Sequence, residues 1–462
     1  MPEALHDVSG HPLATGDVSR LLLKYAIPST ISMLVAALYN IVDQVFIGHG
    51  VGILGNAATN VAFPLVTLAN AVSLLFAIGG ASNFNLELGR GHGKRSARIA
   101  ANAMTCAAIF GALITAVTLL FLQPIMKAFG ATGEVMPYAM TYTGITVLAV
   151  PFLTMSLVAS HLIRADGSPR YSMFCSLSGA LLNIVLDPVF IFKLDMGIAG
   201  AAWATVISMF VGWCFAAFYF TRFRSVRLEK KYFIPDLGQI KRIAILGAGA
   251  GFNQIAMMCV QITMNNVMNR YGAFSVYGAN VPLAASGIIT KVNMIFMAVV
   301  IGIAQGGQPI IGFNYGAGNY AKVRRTFKFT LSSATFVSVM VFALFQIFPR
   351  EIINLFGETN EQYYSFVERY FRIFLFMTFI NGIQPVTANF FSSIGKATRG
   401  LFISLTRQIL FLLPLVLLFA KKWGIDGVMY AGPAADSAAA LLAAFFIVRE
   451  IGEIKSLEGG LS

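Results

Sequence analysis

The sequence predicts an all-α integral membrane protein of twelve transmembrane helices, arranged as two six-helix bundles around a central cavity. Of its 462 residues, 57% are hydrophobic and 11% are charged, whereas a soluble domain carries about 25% charged residues. The apolar residues collect into spans of the length that crosses a bilayer. The two halves of the chain also repeat one another, which predicts the two bundles.

Twelve apolar segments follow one another along the chain, joined by short polar connections such as GRGHGKR and RADGSPR that carry turn residues. Residues 1–20 are polar and have no apolar core, so we expect no cleavable signal peptide and assign the insertion signal to the first span. The predicted spans are residues 21–48, 58–88, 99–122, 138–163, 171–192, 197–221, 243–269, 278–312, 327–348, 363–391, 401–420 and 427–448.

The net charge of +13 follows the expected membrane topology. Because twelve is even, both termini lie on one side, and we place that side in the cytoplasm. This puts 23 of the 33 Lys and Arg residues in cytoplasmic segments or at the cytoplasmic ends of spans, where Lys24 and Lys328 lie, 6 in outer connections and 4 deeper within spans. The positive-inside rule requires such a split. The basic excess is therefore a topology signal, and we expect no nucleic-acid partner.

An internal duplication is visible at a spacing close to 227 residues. LGRGHGKRSAR at 88–98 matches YGAGNYAKVRR at 315–325. RADGSPRYSMFCSLSG at 164–179 matches SSIGKATRGLFISLTR at 392–407. Each copy contains six spans, an even number, so the two copies insert in the same sense and are related by an axis along the membrane normal.

The duplication defines the expected domains. We predict an N-terminal six-helix lobe at 1–221, a basic cytoplasmic linker at 222–242 and a C-terminal six-helix lobe at 243–462. Two parallel bundles around a cavity at the membrane midplane are a transporter architecture.

Two carboxylates lie within the spans of the N-terminal lobe. An ionisable residue near the bilayer centre costs about 2.5–3.5 kcal/mol, so each one invites a functional hypothesis. At 1.5 Å per residue, Asp43 lies roughly 28 Å along span 1 and Asp187 about 24 Å along span 5. Both therefore reach the outer half of the membrane at similar depth. Asn183 lies one turn before Asp187 on the same face, and Thr205 lies about two turns into span 6.

These four residues offer carboxylate, amide and hydroxyl oxygens, the ligands of hard cations such as Na⁺. Two neighbouring carboxylates do not both ionise easily, so the pair would hold a proton in a coupled titration. We expect the cluster to bind H⁺, Na⁺ or each in turn, with Asp43 and Asp187 as the Na⁺ ligands.

Structural explanations stay open for the same residues. Asp43 could be a hydrogen-bonding residue in helix packing, and Asp187 could satisfy a carbonyl group freed by Pro188. Asn183 and Thr205 are typical of the polar residues that join membrane helices.

The C-terminal lobe differs in its polar residues. When the halves are aligned, Asp43 falls opposite Asn265, so an amide replaces the carboxylate. The candidate substrate or polar residues of this lobe are Gln261, Asn265, Lys291, Arg407 and Asp436. An ion pair between Arg407 and Asp436 with a structural role is at least as well supported as a substrate contact, and the role of Lys291 stays open.

Nothing in the sequence indicates a catalytic or nucleotide-binding site. The segment GRGHGKRS lacks the G-x-x-x-x-G-K-[ST] pattern of a P-loop. The four cysteines fall in apolar runs at unrelated spacings, which is typical of buried hydrophobic residues. We expect no enzyme activity and no cofactor, so an ion gradient would supply the energy.

Several of these segments resemble the MATE (multidrug and toxic compound extrusion) family. They include LYNIVDQVFIGHGVG, LIRADGSPRY, NIVLDPVFIF, GIAQGGQPIIGFNYGAGN and SLTRQILFLLP. The resemblance covers essentially the whole chain and is strongest to the bacterial DinF/MepA-like branch. It implies a V-shaped molecule of two six-helix lobes that exports bulky, often cationic organic compounds in exchange for H⁺ or Na⁺.

The resemblance also implies roles for particular residues. It assigns a coupling-ion site to Asp43, Asn183, Asp187 and Thr205, and a bend of span 1 to Pro28. The NorM-like branch carries acidic residues in spans 7 and 10. Here those spans hold amides instead, which argues against a cation site in the C-terminal lobe: Gln261, Asn265, Asn266, Asn381 and Gln384.

We therefore expect a monomeric, multi-pass antiporter of the cytoplasmic membrane, with both termini in the cytoplasm, whose partners are small organic substrates and the bilayer. The alternative is a flippase for lipid-linked precursors or polysaccharides. Such a protein would line its cavity with several Arg or Lys residues to hold pyrophosphate, and only Lys291 and Arg407 are available for that role.

Overall fold

The computed structural model describes residues 10–131, 133–278, 280–354 and 361–459, which are helical and contain no strand. A short helix, Pro12–Thr15, precedes the first long one, and another, Leu122–Ala128, follows the third. The long helices of the N-terminal half are α1 (Val18–Gly50), α2 (Ile53–Gly89), α3 (Gly93–Leu120), α4 (Met136–Ala165), α5 (Pro169–Lys193) and α6 (Gly197–Phe220).

The second half has the same plan with more interruptions. A 3₁₀ turn, Lys230–Phe233, lies ahead of it, and a short helix, Pro349–Asn354, follows its third long helix. Its first three long helices are α7 (Leu237–Ala273), α8 (Asn280–Gly316) and α9 (Tyr320–Ile347). The next, α10, is broken: Tyr363–Ile380 and Ile383–Ser393 meet at an angle of 41°.

The last two predicted spans lie in one continuous run, Ala397–Glu458. This run turns back at Gly424, whose φ of +61° is readily adopted only by glycine. We call its arms α11 (397–423) and α12 (425–459). The arms are antiparallel, because Arg407 pairs with Asp436 and Arg399 pairs with Glu450.

With α10 counted as one bent span and the last run divided at Gly424, each of the twelve predicted spans corresponds to a helix of the described residues. The predicted fold class is confirmed. Most helices extend beyond the predicted spans by several residues; α2, for example, begins at Ile53 and not at 58. Hydrophobicity marks the part of a helix that fits the hydrocarbon core, whereas backbone hydrogen bonding continues into the polar interface.

The two lobes begin in the same way. Asp17 caps α1 by accepting hydrogen bonds from the backbone N–H groups of Ser19, at 3.1 Å, and Arg20, at 3.2 Å. Asp236 caps α7 by accepting from Gly238, at 2.8 Å, and from the residue after it. An aspartate at this position satisfies amide groups that a helix start leaves free.

Close backbone contacts join helices of the first half of the chain to helices of the second half. A Cβ atom added to Gly247 of α7 would lie 1.7 Å from the carbonyl oxygen of Leu75 in α2. One added to Gly306 of α8 would lie 2.5 Å from the Cα atom of Ala26 in α1. Small residues let membrane helices approach to backbone contact. The seams α2–α7 and α1–α8 therefore depend on these glycines.

The lobes meet at one end and separate at the other. Towards the predicted cytoplasmic end, which we call the inner end, Gln305 and Gln308 of α8 are each only 3% exposed. There Gln308 donates to the Ser82 hydroxyl at 2.8 Å. Four to five turns earlier on the same helix, Thr290 and Lys291 are exposed. The interlobe space is therefore closed at the inner end and open towards the outer end.

The segment before α1 binds the opposite lobe at the inner end. We call residues 11–16 the N-terminal segment. Leu13 is buried, and its carbonyl accepts a hydrogen bond from the Asn314 amide at 2.9 Å. The Lys322 ammonium donates to the carbonyls of Ala14, at 2.7 Å, and Gly16, at 2.6 Å. The chain thus ties the two lobes together before its first span begins.

The connection after α6 is anchored at a buried carboxylate. Asp166, between α4 and α5, accepts hydrogen bonds from the backbone N–H groups of Arg224 and Ser225 and from the Tyr219 hydroxyl, each at 2.7 Å. Burial raises the pKa of the Asp166 carboxyl above its usual value, although these three donors oppose the shift. The start of the predicted linker is thereby held against the N-terminal lobe.

Replacing Gly247 with alanine should separate the α2–α7 seam. The added methyl group cannot fit beside the Leu75 carbonyl, and overpacking of this kind costs about 1–3 kcal/mol. We expect Gly247→Ala to lower the apparent melting temperature of the detergent-purified protein by a few degrees, as followed by tryptophan fluorescence.

The matched control is Gly287→Ala in α8, because no atom lies within 4 Å of a Cβ at that position. The melting temperature of Gly287→Ala should equal that of the parent protein or lie slightly above it, since alanine favours the helix. Equal melting of Gly247→Ala and the parent would contradict this account of the seam.

Candidate functional site

The two carboxylates predicted from the sequence lie together in the N-terminal lobe. Asp43 of α1 and Asp187 of α5 are close enough for their carboxyl groups to share a hydrogen bond. Asp187 is fully buried, and its Oδ1 atom accepts a hydrogen bond of 3.2 Å from the Asn183 amide. The spacing of four residues places Asn183 and Asp187 on one face of α5. Three of the four predicted coupling-ion residues thus form one cluster.

The cluster keeps oxygen atoms that have no protein partner. Oδ1 of Asp43, Oδ2 of Asp187 and Oδ1 of Asn183 are all buried and accept no hydrogen bond from the described residues. A buried unpaired polar atom costs about 1–3 kcal/mol. Two adjacent carboxylates also repel one another unless a proton or a cation lies between them. These three oxygens have the chemistry of a site for H⁺ or a hard monovalent cation.

Two tyrosines missed by the sequence analysis complete the surroundings. Tyr39 lies one turn before Asp43 on α1 and stands beside both carboxylates. Tyr142 of α4 is 9% exposed and faces the same pair from the other side. The i, i+4 spacing from Asp43 could have identified Tyr39. No spacing in the sequence relates Tyr142 to the carboxylates, because it lies on a different helix.

Thr205 lies near the cluster without contacting the carboxylates directly. Its hydroxyl donates to the backbone carbonyl of Ala201 at 3.1 Å. With Tyr39 and Asn183, it lines a cavity of 150 Å³ inside the lobe. The other polar lining residues are Ser32, Ser156, Ser160, Ser176 and Ser208. Thr205 therefore belongs to a hydroxyl-lined cavity that reaches the cluster at Tyr39 and Asn183.

Pro28 is buried in the inner half of α1, and the helix continues through it. Proline has no N–H group, so the carbonyl one turn earlier loses its helical partner. The Ser32 hydroxyl donates to the Pro28 carbonyl at 3.0 Å. A bend at Pro28 that depends on the occupancy of the site stays a prediction.

In the C-terminal lobe, both carboxylate oxygens of Asp436 have hydrogen-bond partners. Oδ1 of Asp436 accepts from Nε of Arg407 at 2.6 Å, and Oδ2 accepts from the Asn381 amide at 2.9 Å. Gln261 donates to Asn265 at 3.0 Å. These contacts give Arg407 and Asp436 a structural explanation and leave no unpaired carboxylate oxygen on Asp436.

Lys291 lies apart from both clusters. It is exposed, in the outer half of α8, and faces Gln44 and His49 of α1 across a pocket of 300 Å³. The structure therefore does not bring Lys291 together with Arg407 and Asp436.

Comparison with known proteins agrees with this architecture. The MatE family profile matches residues 28–189 and 250–418. The chain is 24% identical over 431 residues to the multidrug export protein MepA of Staphylococcus haemolyticus (strain JCSC1435), and 23% identical to MepA of Staphylococcus aureus (strain NCTC 8325 / PS 47). Both alignments cover 93% of each protein.

Among solved structures, the fold resembles one described as the outward-facing conformation of a multidrug resistance MATE family transporter of the MOP superfamily. The TM-score is 0.89 and the sequence identity is 22%, with 96% of this chain and 98% of the other covered.

The carboxylate pair predicts a particular pH dependence of stability. Two carboxylates as close as Asp43 and Asp187 repel one another unless they share a proton. We expect the melting temperature of the purified protein to rise when the pH is lowered from 9 to 6 in sodium-free buffer, because acid supplies that proton. In Asp43→Asn, which has only one carboxylate at this site, the rise should shrink.

Glu134→Gln is the matched control, because Glu134 is an exposed carboxylate in an outer connection. It should keep the pH dependence of the parent. A rise that is equally large in Asp43→Asn would show that the pair does not titrate as a unit.

Proposed function

We propose, because this chain belongs to the MatE family of multidrug efflux transporters, that it works as a secondary-active antiporter. It exports organic, often cationic, compounds across the cytoplasmic membrane in exchange for H⁺ or Na⁺. The observation that carries this proposal is the adjacent pair of Asp43 and Asp187, in which Oδ1 of Asp43 and Oδ2 of Asp187 are buried and have no partner among the described residues. The role of the chain is transport and not catalysis.

The coupling ion acts by neutralising the pair. With a proton or Na⁺ between Asp43 and Asp187, the cluster can stay buried, since the repulsion between the carboxylates is removed. When the ion leaves, the charged pair favours a hydrated arrangement of the lobe. Asn183 supplies a further oxygen, and the hydroxyl-lined cavity that includes Thr205 supplies the path to the site.

The energy available fits drug accumulation. Moving one charge through 100 mV releases about 2.3 kcal/mol, which supports an accumulation of tens-fold. The concentration gradient of the ion adds to this. The chain holds 40 Phe and 19 Met residues, whose adaptable packing suits varied apolar substrates.

The orientation and assembly state belong to the same proposal. The distribution of Lys and Arg supports an orientation with both termini in the cytoplasm. The interlobe space, closed at the inner end, then faces outward, where substrate is released. The complete ion site lies in one lobe of one chain, so a monomer is sufficient.

The ion pair between Arg407 and Asp436 argues against the flippase alternative. A site for pyrophosphate needs several unpaired cationic groups. Arg407 is neutralised by Asp436, which leaves only Lys291 of the two candidates.

The experiment is transport in proteoliposomes with the pH and Na⁺ gradients imposed separately. A fluorescent organic cation should accumulate when one of these gradients is present. Asp43→Asn and Asp187→Asn should each reduce the gradient-driven rate at least about tenfold, which corresponds to the loss of about 1.4 kcal/mol of coupling.

Glu134→Gln, which removes an exposed carboxylate of an outer connection, should transport like the parent. The coupling site would be wrongly assigned if both aspartate variants transported as well as the parent under both gradients.

A further inference from the structure

We propose that the pocket around Lys291 binds the carboxylate of an amphipathic substrate, so that the preferred cargo carries an acidic group even when it also carries a positive charge. This inference deepens the proposed transport function and rests on it. Its basis is an exposed cation that faces α1 across a pocket and has no ion-pair partner among the described residues.

Three helices of both lobes form the pocket, which we call the Lys291 pocket. Its volume is 300 Å³, within the usual range for small-molecule sites. Lys291 extends from α8, and the other side consists of α1 and the start of α2. The lining residues used here are Ile41, Gln44, Gly48, His49, Asn56 and Lys291.

Lys291 has no ion-pair partner among the described residues. It lies eleven residues, roughly 17 Å, from the start of α8. There it faces the last turns of α1 and the start of α2, at the outer end of the space between these helices.

No acidic side chain belongs to the lining of the pocket. Asp43 is adjacent to Gln44 in the chain, but its carboxyl group faces Asp187 inside the N-terminal lobe. Asp436 is already occupied by Arg407 and Asn381. The Lys291 charge is therefore available to a ligand, and it has no counterpart in the other lobe, where the 227-residue spacing places Pro64.

The other polar groups of the pocket suit a carboxylate. The exposed Gln44 can donate N–H groups beside the ammonium. Nδ1 of His49 donates to the Val45 carbonyl at 2.8 Å, so Nε2 of the neutral ring is an acceptor; His49 holds the shape of the pocket and is not a donor to the carboxylate. Asn56 lies against Gly48, where a Cβ atom would be 2.8 Å from its amide nitrogen. Any side chain at position 48 would displace Asn56.

An apolar stripe on α1 leads to the pocket. Ile31 is 37% exposed, Leu38 is 48% and Val45 is 50%, and their spacing of seven residues places them on one helix face. Further along the seam, a groove of 490 Å³ between α1, α8 and α9 is almost entirely apolar. An amphipathic molecule can therefore lie along α1 with its acidic end at Lys291.

The test compares two fluorophores that differ only at one carboxylate: rhodamine 110, which has a free carboxylate, and its methyl ester, rhodamine 123. Both are titrated by fluorescence polarisation against purified protein in nanodiscs, with no ion gradient. The parent should bind rhodamine 110 about tenfold more tightly, because a charge-assisted hydrogen bond of about 1.5–3 kcal/mol is available only to the acid.

Lys291→Gln should lose that preference: its affinity for rhodamine 110 should fall about tenfold, and its affinity for rhodamine 123 should fall less than twofold. Lys291→Arg, which keeps the charge, should retain most of it. Lys421→Gln is the control, since Lys421 is an exposed cation outside the pocket. It should bind both fluorophores like the parent.

The inference is overturned if the parent binds the ester as tightly as the acid, if it binds neither, or if Lys291→Gln weakens both equally. These outcomes are independent of coupling, because the titration uses no gradient. Failure of the Asp43 and Asp187 variants to impair transport would overturn the proposed function and leave the affinity comparison unchanged.

Discussion

The backbone contact between the lobes at the inner end is the constraint on which the rest of the structure depends. Gly247 on α7 and Gly306 on α8 bring the helices together at that end, and no larger residue fits either place. Because the helices are rigid, contact at one end fixes how far they stand apart at the other. Thr290 and Lys291, in the outer half of α8, are therefore exposed, while Asp187 stays buried within the N-terminal half.

Duplication has given the lobes the same plan but different chemistry. Asp43 and Asp187 keep buried oxygens that no protein group satisfies. In the other lobe, both oxygens of Asp436 are occupied by an arginine and an amide. The N-terminal half thus keeps unpaired carboxylate oxygens, whereas the Asp436 carboxylate is paired with Arg407 and Asn381. The two halves of the duplication differ in a few side chains within one common arrangement of helices.

The sequence predicts the fold well because lipid leaves few choices: each span must satisfy its own backbone, so hydrophobic length nearly determines structure. The depth calculation likewise placed Asp43 and Asp187 at one level, and they do meet. Local geometry was less predictable. Nothing in the pattern shows that the Thr205 hydroxyl donates to Ala201, that Tyr142 faces the carboxylates, or that α10 bends by 41°. These depend on how helices rotate about their axes, which hydropathy does not report.

The N-terminal segment has a practical consequence for labelling the protein. Residues 11–16 precede the first lobe yet bind the second through Asn314 and Lys322. A bulky fusion placed just ahead of them would therefore disturb this contact between the two lobes, which the proposed transport cycle requires to open. At the other end of the chain, Glu458 pairs with Arg324 at 2.6 Å within a single lobe. A fluorescent reporter or purification tag is therefore better tolerated after α12, and a reporter at the N-terminal segment would instead sense the opening itself.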